Sequence, residues 1–336
     1  MSLIVMKFGG ECTARPKTIP VLVQQQIAEG HQVALVVSAL AGDTDRLFSQ
    51  MKDAGIEDRH TVADHVAKGE QNAAVLVARV LSDAGIPAQP WRARKFAIPA
   101  EGDPVYATVD MEKFCARGEQ LLNELFSTNT LPVIAGYQGL NSEGKTVLLG
   151  RGGSDTSAVA IGCAIRADYV DFRKNGTNGI HTADPRLVPE ARTIPRISYE
   201  LMQAFAACGA KILAPDSLSI AKQESMALHV SGFSPEARQS TLVTVSDEIP
   251  AGRVIGITHR LGSSPGDPAT VTTIGKELRL ETAGAMAQIL AEKDISVIGE
   301  PSRSDSAAGI GSITVAISPD CLKRAVSELH QAFIPR

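Results

Sequence analysis

The sequence predicts an α/β protein, a three-layer arrangement with a mainly parallel central sheet between helices, followed by a small ferredoxin-like α+β domain. Three observations predict it. Short apolar runs bounded by turn residues alternate with amphipathic stretches over roughly the first 245 residues, and strand–helix–strand order calls for a parallel sheet covered on both faces. The opening unit is a clear case: an apolar run at 3–8, a helical stretch at 19–29, then a second buried run at 32–38 with Val33, Leu35, Val36 and Val37. Beyond residue 246 the order becomes strand, strand, helix, strand, strand, helix, which is βαββα preceded by one strand.

Taken in order, residues 71–84 read as helix, 89–91 as a short strand region, 111–125 as helix and 131–135 as strand. Residues 137–145 carry Gly139, Asn141, Ser142 and Gly144 and read as a loop or hairpin. A glycine-rich turn at 150–153 leads into a helix at 154–165, and 169–234 holds a strand, a polar loop, a helix at 198–208 and a βα pair ending in a strand at 227–231. The loop at 174–178 is too short for a linker, so 1–245 is taken as one domain. Pro250 and Gly252 mark the connector to a second, 246–336, with strands at 253–259, 270–274, 296–300 and 311–317 and helices at 283–292 and 321–333.

Composition narrows the function. With 336 residues, 44% of them hydrophobic, the chain can bury a full core. A net charge of −4 offers no basic surplus for a phosphate backbone. No apolar run approaches the ~20 residues that span a bilayer, and Lys7 follows the first apolar stretch instead of preceding it, unlike a signal peptide. The expectation is a cytoplasmic protein whose partners are small molecules or copies of itself, with no nucleic acid and no membrane. Five cysteines, Cys12, Cys115, Cys163, Cys208 and Cys321, show no metal-ligand spacing and read as reduced thiols.

Two segments carry chemistry. Lys7-Phe8-Gly9-Gly10 closes a buried strand with glycines that let backbone approach a ligand and a lysine that supplies a point charge for phosphate; a plain tight turn is the alternative. Gly150-Arg151-Gly152-Gly153-Ser154-Asp155 delivers Ser154 and Asp155 to a helix start, as N-cap or as part of an anion site. Arg151 beside that start suits bidentate recognition of a carboxylate. Walker A, HRD and DFG signatures are absent.

These segments, with Val36-Val37-Ser38-Ala39, Gly42-Asp43-Thr44-Asp45, Gly118-Glu119, Gly179-Ile180-His181-Thr182-Ala183-Asp184-Pro185-Arg186 and Gly209-Ala210-Lys211-Ile212-Leu213, fall in the order that resembles aspartate kinases of the amino acid kinase superfamily. The resemblance implies the amino acid kinase fold and ATP- and Mg²⁺-dependent phosphorylation of a side-chain carboxylate, L-aspartate or a close analogue. It further implies that Lys7 contacts the transferring phosphates, that Gly9 and Gly10 line their path, and that Ser38 and Thr44 lie near phosphates and substrate. Glu119 would engage the substrate amino group and Arg151 its α-carboxylate, with Ser154 and Asp155 beside the lysine. Asn175, Gly176 and His181 would form the nucleotide loop, and Arg186 and Lys211 would be cations on the ATP side. A homodimer and a single ACT-like regulatory or dimerisation module at 246–336 are also implied.

Three departures stand out. Where the family has Gly-Gly-Thr-Ser, this chain has Glu11-Cys12, and Glu11 is open to metal binding, to a cationic substrate group, or to solvent. The nucleotide loop, Thr-Asp-Val-Asp-Gly-Ile-Tyr in the family, reads Asn175 to His181 and leaves the nucleotide preference open. The C-terminal part has room for one ACT-type module where family members commonly carry two. Other superfamily members acting on a different carboxylate or a carbamate, and a non-catalytic ligand sensor, are the rival readings.

Overall fold

The computed structural model describes residues 2–334 apart from 211, 248, 265, 280 and 307, with backbone only at 93 and 94. Contacts divide the chain into two compact units, Met1–Asn178 with Leu213–Leu242, and Gly179–Ile212 with Val243–Arg336.

The first unit opens with β1 (Leu3–Phe8), the single turn α1 (Gly10–Thr13), α2 (Ile19–Ala28) and β2 (Gln32–Val37). α3 (Asp43–Asp53) and α4 (Arg59–Asp83) follow, α4 starting at Asp58, whose carboxylate accepts the Thr61 N–H at 2.8 Å. Only the second half of α4 stands out in the sequence. α3 buries just Leu47 and Met51, too narrow a stripe to show. Next come β3 (Ala88–Trp91), α5 (Ala93–Phe96), the hairpin β4 (Ala100–Asp103) and β5 (Tyr106–Val109), then α6 (Met111–Ala116) and α7 (Gly118–Leu125). The helix expected at 111–125 is therefore two, parted at Arg117. β6 (Leu131–Ala135), the hairpin β7 (Gln138–Leu140) and β8 (Thr146–Leu148), α8 (Gly153–Ala164) and β9 (Tyr169–Lys174) complete the long segment. β10 (Arg196–Ser198) and α9 (Tyr199–Ala207) belong to the second unit; the chain then returns with α10 (Pro215–Gln223) and β11 (Leu228–Gly232), and β12 (Ser240–Thr244) crosses the boundary.

Within the first unit the strands run β11-β9-β1-β2-β6-β3, every neighbouring pair parallel. Pro90 is tolerated because β3 is an edge strand. Ile4, Met6 and Phe8 of β1 enter a core with Leu22 of α2, Leu35 and Val37 of β2 and Val77 and Leu81 of α4. The two-residue period then turns Lys7 to the opposite face, where the wholly buried α8 packs against β1 and β9.

In the second unit β13 (Arg253–Arg260), β14 (Ala269–Lys276), α11 (Glu281–Ala291), β15 (Val297–Asp305), β16 (Ile310–Ile317) and α12 (Leu322–Phe333) form an antiparallel sheet, β13-β14-β16-β15, with two helices. Val271, Met286, Leu290, Ile313, Val315, Val326 and Leu329 make its core, and Ala183 and Val188 from the earlier segment join it. That segment is fixed by backbone too: Ile257 N–H donates to the Thr182 carbonyl at 2.8 Å, and Thr182 Oγ1 lies 2.8 Å from His330 Nε2. No described helix is long and apolar enough to cross a membrane.

Candidate active site

The carboxyl ends of β1, β2, β6 and β9 lie side by side, the edge at which parallel sheets accept ligands. Glycines bring their loops together. A Cβ on Gly10 would stand 2.8 Å from the Ala39 carbonyl oxygen, and one on Gly136 would stand 2.8 Å from Ser154 Cβ, so the loops after β1 and β6 make contacts that no side chain permits. A Cβ on Gly9, two residues past Lys7, would stand 3.7 Å from Lys7 Nζ. Gly150 and Gly152 take φ of 71° and 80°, turning the chain sharply into α8. Ser154 and Asp155 arrive at the same edge, and Ser154 Oγ is 2.6 Å from Ser38 Oγ.

Asp155 is buried, with one carboxylate oxygen on Lys7 Nζ and the other 3.1 Å from Lys174 Nζ. Burial pushes this carboxyl up, but the charges of Lys174 and Lys7 together outweigh it and hold it below the ordinary value. For Lys174 burial prevails, and its ammonium sits below the usual lysine range despite Asp155. A carboxylate kept ionised with both oxygens committed orients its partners and is not poised to take a proton.

A second set of groups flanks this one. Glu70 of α4 is 3% exposed; Oε1 accepts the Ala39 N–H at 3.2 Å and Oε2 has no partner. Burial pushes its carboxyl up to about 7, against the Ala39 N–H and the charge of Lys7. Asp43, in the first turn of α3 with the half-buried Thr44, acts on it as well. The ring of Tyr137 fills the space that a side chain on Gly153 would take. Burial raises its hydroxyl to about 12, with Glu70, Asp45 and Arg151 all acting on it. Arg151 is exposed, and its guanidinium makes no ion pair or hydrogen bond among the described residues.

The edge thus assembles Lys7, Gly9, Gly10, Ser38, Ser154 and Asp155, with Thr44 and Arg151 nearby. Glu119 is a correction. It is exposed in the first turn of α7, and the preceding Gly118 packs on Ala164, where a Cβ would stand 1.8 Å from the carbonyl oxygen. Ala164 ends α8, roughly 13 Å along the axis from Asp155 at 1.5 Å per residue. The Gly-Glu pair at the site is Gly69-Glu70. Its signal in the sequence was a carboxylate on the apolar stripe of a helix, with Val66, Ala73 and Val77. Lys174 was also missed as a site residue, although it closes a buried strand as Lys7 nearly does.

Asn175 lies just past β9, donating from Nδ2 to Glu11 Oε2 at 3.0 Å and accepting from Arg15 at 3.4 Å. Glu11 is exposed and engaged in that surface network. Gly176 turns at φ 74°. His181 and Arg186 belong to the second unit: His181 Nε2 is 3.4 Å from Thr193 Oγ1, and Arg186 clamps Asp184 with contacts of 2.7 to 3.2 Å. Lys211 lies outside the described residues. Among the described residues no cluster of three His, Cys, Asp or Glu side chains forms a metal cage.

Comparison with known proteins agrees with this geometry. The family model described as the amino acid kinase family matches residues 2–231. An aspartokinase of Rickettsia bellii (strain RML369-C) is 34% identical over 267 residues, 77% of this chain and 64% of that protein. One from Thermus thermophilus is 33% identical over 305 residues, 88% of this chain and 71% of its own. The chain spans 56 to 64% of the length of the four rickettsial aspartokinases it matches. Among solved structures, E. coli aspartokinase III in complex with aspartate and ADP superposes with a TM-score of 0.76 at 19% identity, covering 98% of this chain and 99% of that one, a likeness of fold. The parallel-sheet edge, its glycine turns and the matched span make this chain a member of the amino acid kinase family, related to its aspartokinases.

Proposed function

We propose that the protein transfers the γ-phosphoryl group of ATP to the side-chain carboxylate of a small α-amino acid, L-aspartate foremost, giving an acyl phosphate. The observation that carries this reading is the buried Lys7–Asp155 pair at the start of α8 with the uncommitted Arg151 guanidinium on the turn before it. An acceptor carboxylate is already ionised, so the reaction needs alignment and charge screening more than a base. Lys7, with the positive dipole end of α8, supplies screening for phosphate oxygens. Arg151 suits the α-carboxylate through its two-pronged fork. Glu70, with one oxygen unpartnered, suits the ammonium, the role that the resemblance had given to Glu119. Mg²⁺ would neutralise phosphate charge; the described residues form no cage for it, so it would enter on the triphosphate. E. coli aspartokinase III, whose fold is shared, binds aspartate and ADP in its crystal.

Trapping acyl phosphate with hydroxylamine, with ATP, Mg²⁺ and a panel of amino acids, tests the reading. Hydroxamate is expected with aspartate, and Lys7→Ala should lower kcat by roughly 100-fold or more, as loss of a group that stabilises transition-state charge does. Nucleotide binding without product from any acid would replace the enzyme with a ligand sensor.

A further inference from the structure

We infer that Lys174 is a second polyphosphate-binding cation of this site, paired with Lys7 across Asp155. Lys7, Asp155 and Lys174 have side chains 5%, 8% and 19% exposed, and two ammonium groups share one carboxylate. The other ionisable group facing Lys174 is Cys12, whose thiol burial raises to about 11 and so keeps neutral at pH 7. Two lysines on one carboxylate leave one of them without a counter-charge where burial disfavours an ammonium, and an anion would complete the set.

Geometry says where that anion goes. Lys7 pairs in register with Phe172 on the neighbouring strand, and Lys174 lies two residues further on, so both lysines leave the same face of the sheet. They straddle the junction of β1 and β9. β1 is followed by β2 on one side, whereas β9 is followed by β11 on the other, and that reversal is where a parallel sheet opens a crevice. Each ammonium has three donors and spends one on Asp155. The remaining donors of both lysines are then available to an anion at the carboxyl ends of β1 and β9. Asp155 is then a positioning residue: it sets the spacing of two cations so that they grip neighbouring phosphoryl groups of a nucleoside triphosphate.

The nucleotide part of this inference rests on the kinase reading, and the test separates the two. Wild type, K174M and K174R are titrated calorimetrically with Mg·ATP, with inorganic tripolyphosphate and with aspartate. Losing one charge-assisted contact should weaken ATP and tripolyphosphate about ten- to a hundred-fold in K174M, K174R should recover most of it, and aspartate affinity should not move. In parallel, tripolyphosphate should protect Lys174 of the wild type from reductive methylation, a readout that needs no variant to fold. Unchanged tripolyphosphate affinity in K174M, or Lys174 labelling unaffected by tripolyphosphate, overturns the inference. A wild type that protects Lys174 yet forms no hydroxamate with any amino acid keeps the cation pair and discards the kinase.

Discussion

Burial pushes the Glu70 carboxyl up to about 7, and the resulting pH dependence has a definite sign. Below pH 4.5 the group is protonated in both folded and unfolded chains, and its stabilisation of the fold is fully present. As pH rises toward 7 the unfolded chain ionises while the folded one stays protonated, so stability falls across that window by something on the order of 3 kcal/mol. Glu70→Gln cannot ionise. Chemical denaturation from pH 4.5 to 8 should show wild type losing stability relative to the glutamine variant as pH rises; parallel curves would mean that the carboxyl is not buried as described. The same residue reports on ligand. A cationic ammonium beside Oε2 would bring the carboxyl back toward its ordinary value and release a proton near pH 7. Glu70 was hard to read because one charge on an apolar stripe is usually taken as a break in the pattern, and the sequence does not show that Ala39 N–H waits opposite it.

Helix α8 is the element on which the site depends, and its two ends behave differently. Its start carries Ser154 and Asp155 into the sheet edge, while its end at Ala164 meets Gly118 with no space for a methyl group. Gly118→Ala should therefore cost about 3 kcal/mol or more through overpacking, and Glu119→Ala, one residue on and exposed, should leave kcat and both KM values within twofold of wild type. A large rise in the KM for the amino acid in Glu119→Ala would return that glutamate to the substrate. The contrast also marks what was legible. The parallel sheet, the Lys7 strand and the glycine turn before α8 could all be read, because burial on both faces and strand-end glycines leave local signatures. The placement of Gly118-Glu119 could not. A Gly-Glu pair before a helix looks the same whether the glycine yields to a ligand or to Ala164, and only tertiary contact separates the cases. α3 and the hairpin of β4 and β5 escaped because their stripes are short and polar.

At the scale of the whole molecule, the sequence boundary near 245 and the contact pattern make different demands on the chain. The second unit takes most of its strands and helices from beyond residue 243, but it also holds β10 and α9, and its core includes Ala183 and Val188 of the segment Gly179–Ile212. Thr182 is tied to that core twice, by its carbonyl to Ile257 and by its hydroxyl to His330. A chain cut after residue 245 would keep this segment while removing the C-terminal sheet and helices that Ala183 and Val188 pack on, exposing those two residues and leaving the Thr182 carbonyl without its Ile257 partner. Such a chain should aggregate or melt well below full length, because lost apolar contacts and a stranded backbone acceptor act together. In full-length protein, Val188→Asp should mimic part of this by burying a charge without a partner, lowering the free energy of unfolding by about 3 kcal/mol. If the 1–245 chain instead melts cooperatively at the full-length temperature, residues 179–212 hold their fold without the C-terminal sheet, and the contacts around Val188 contribute little to stability.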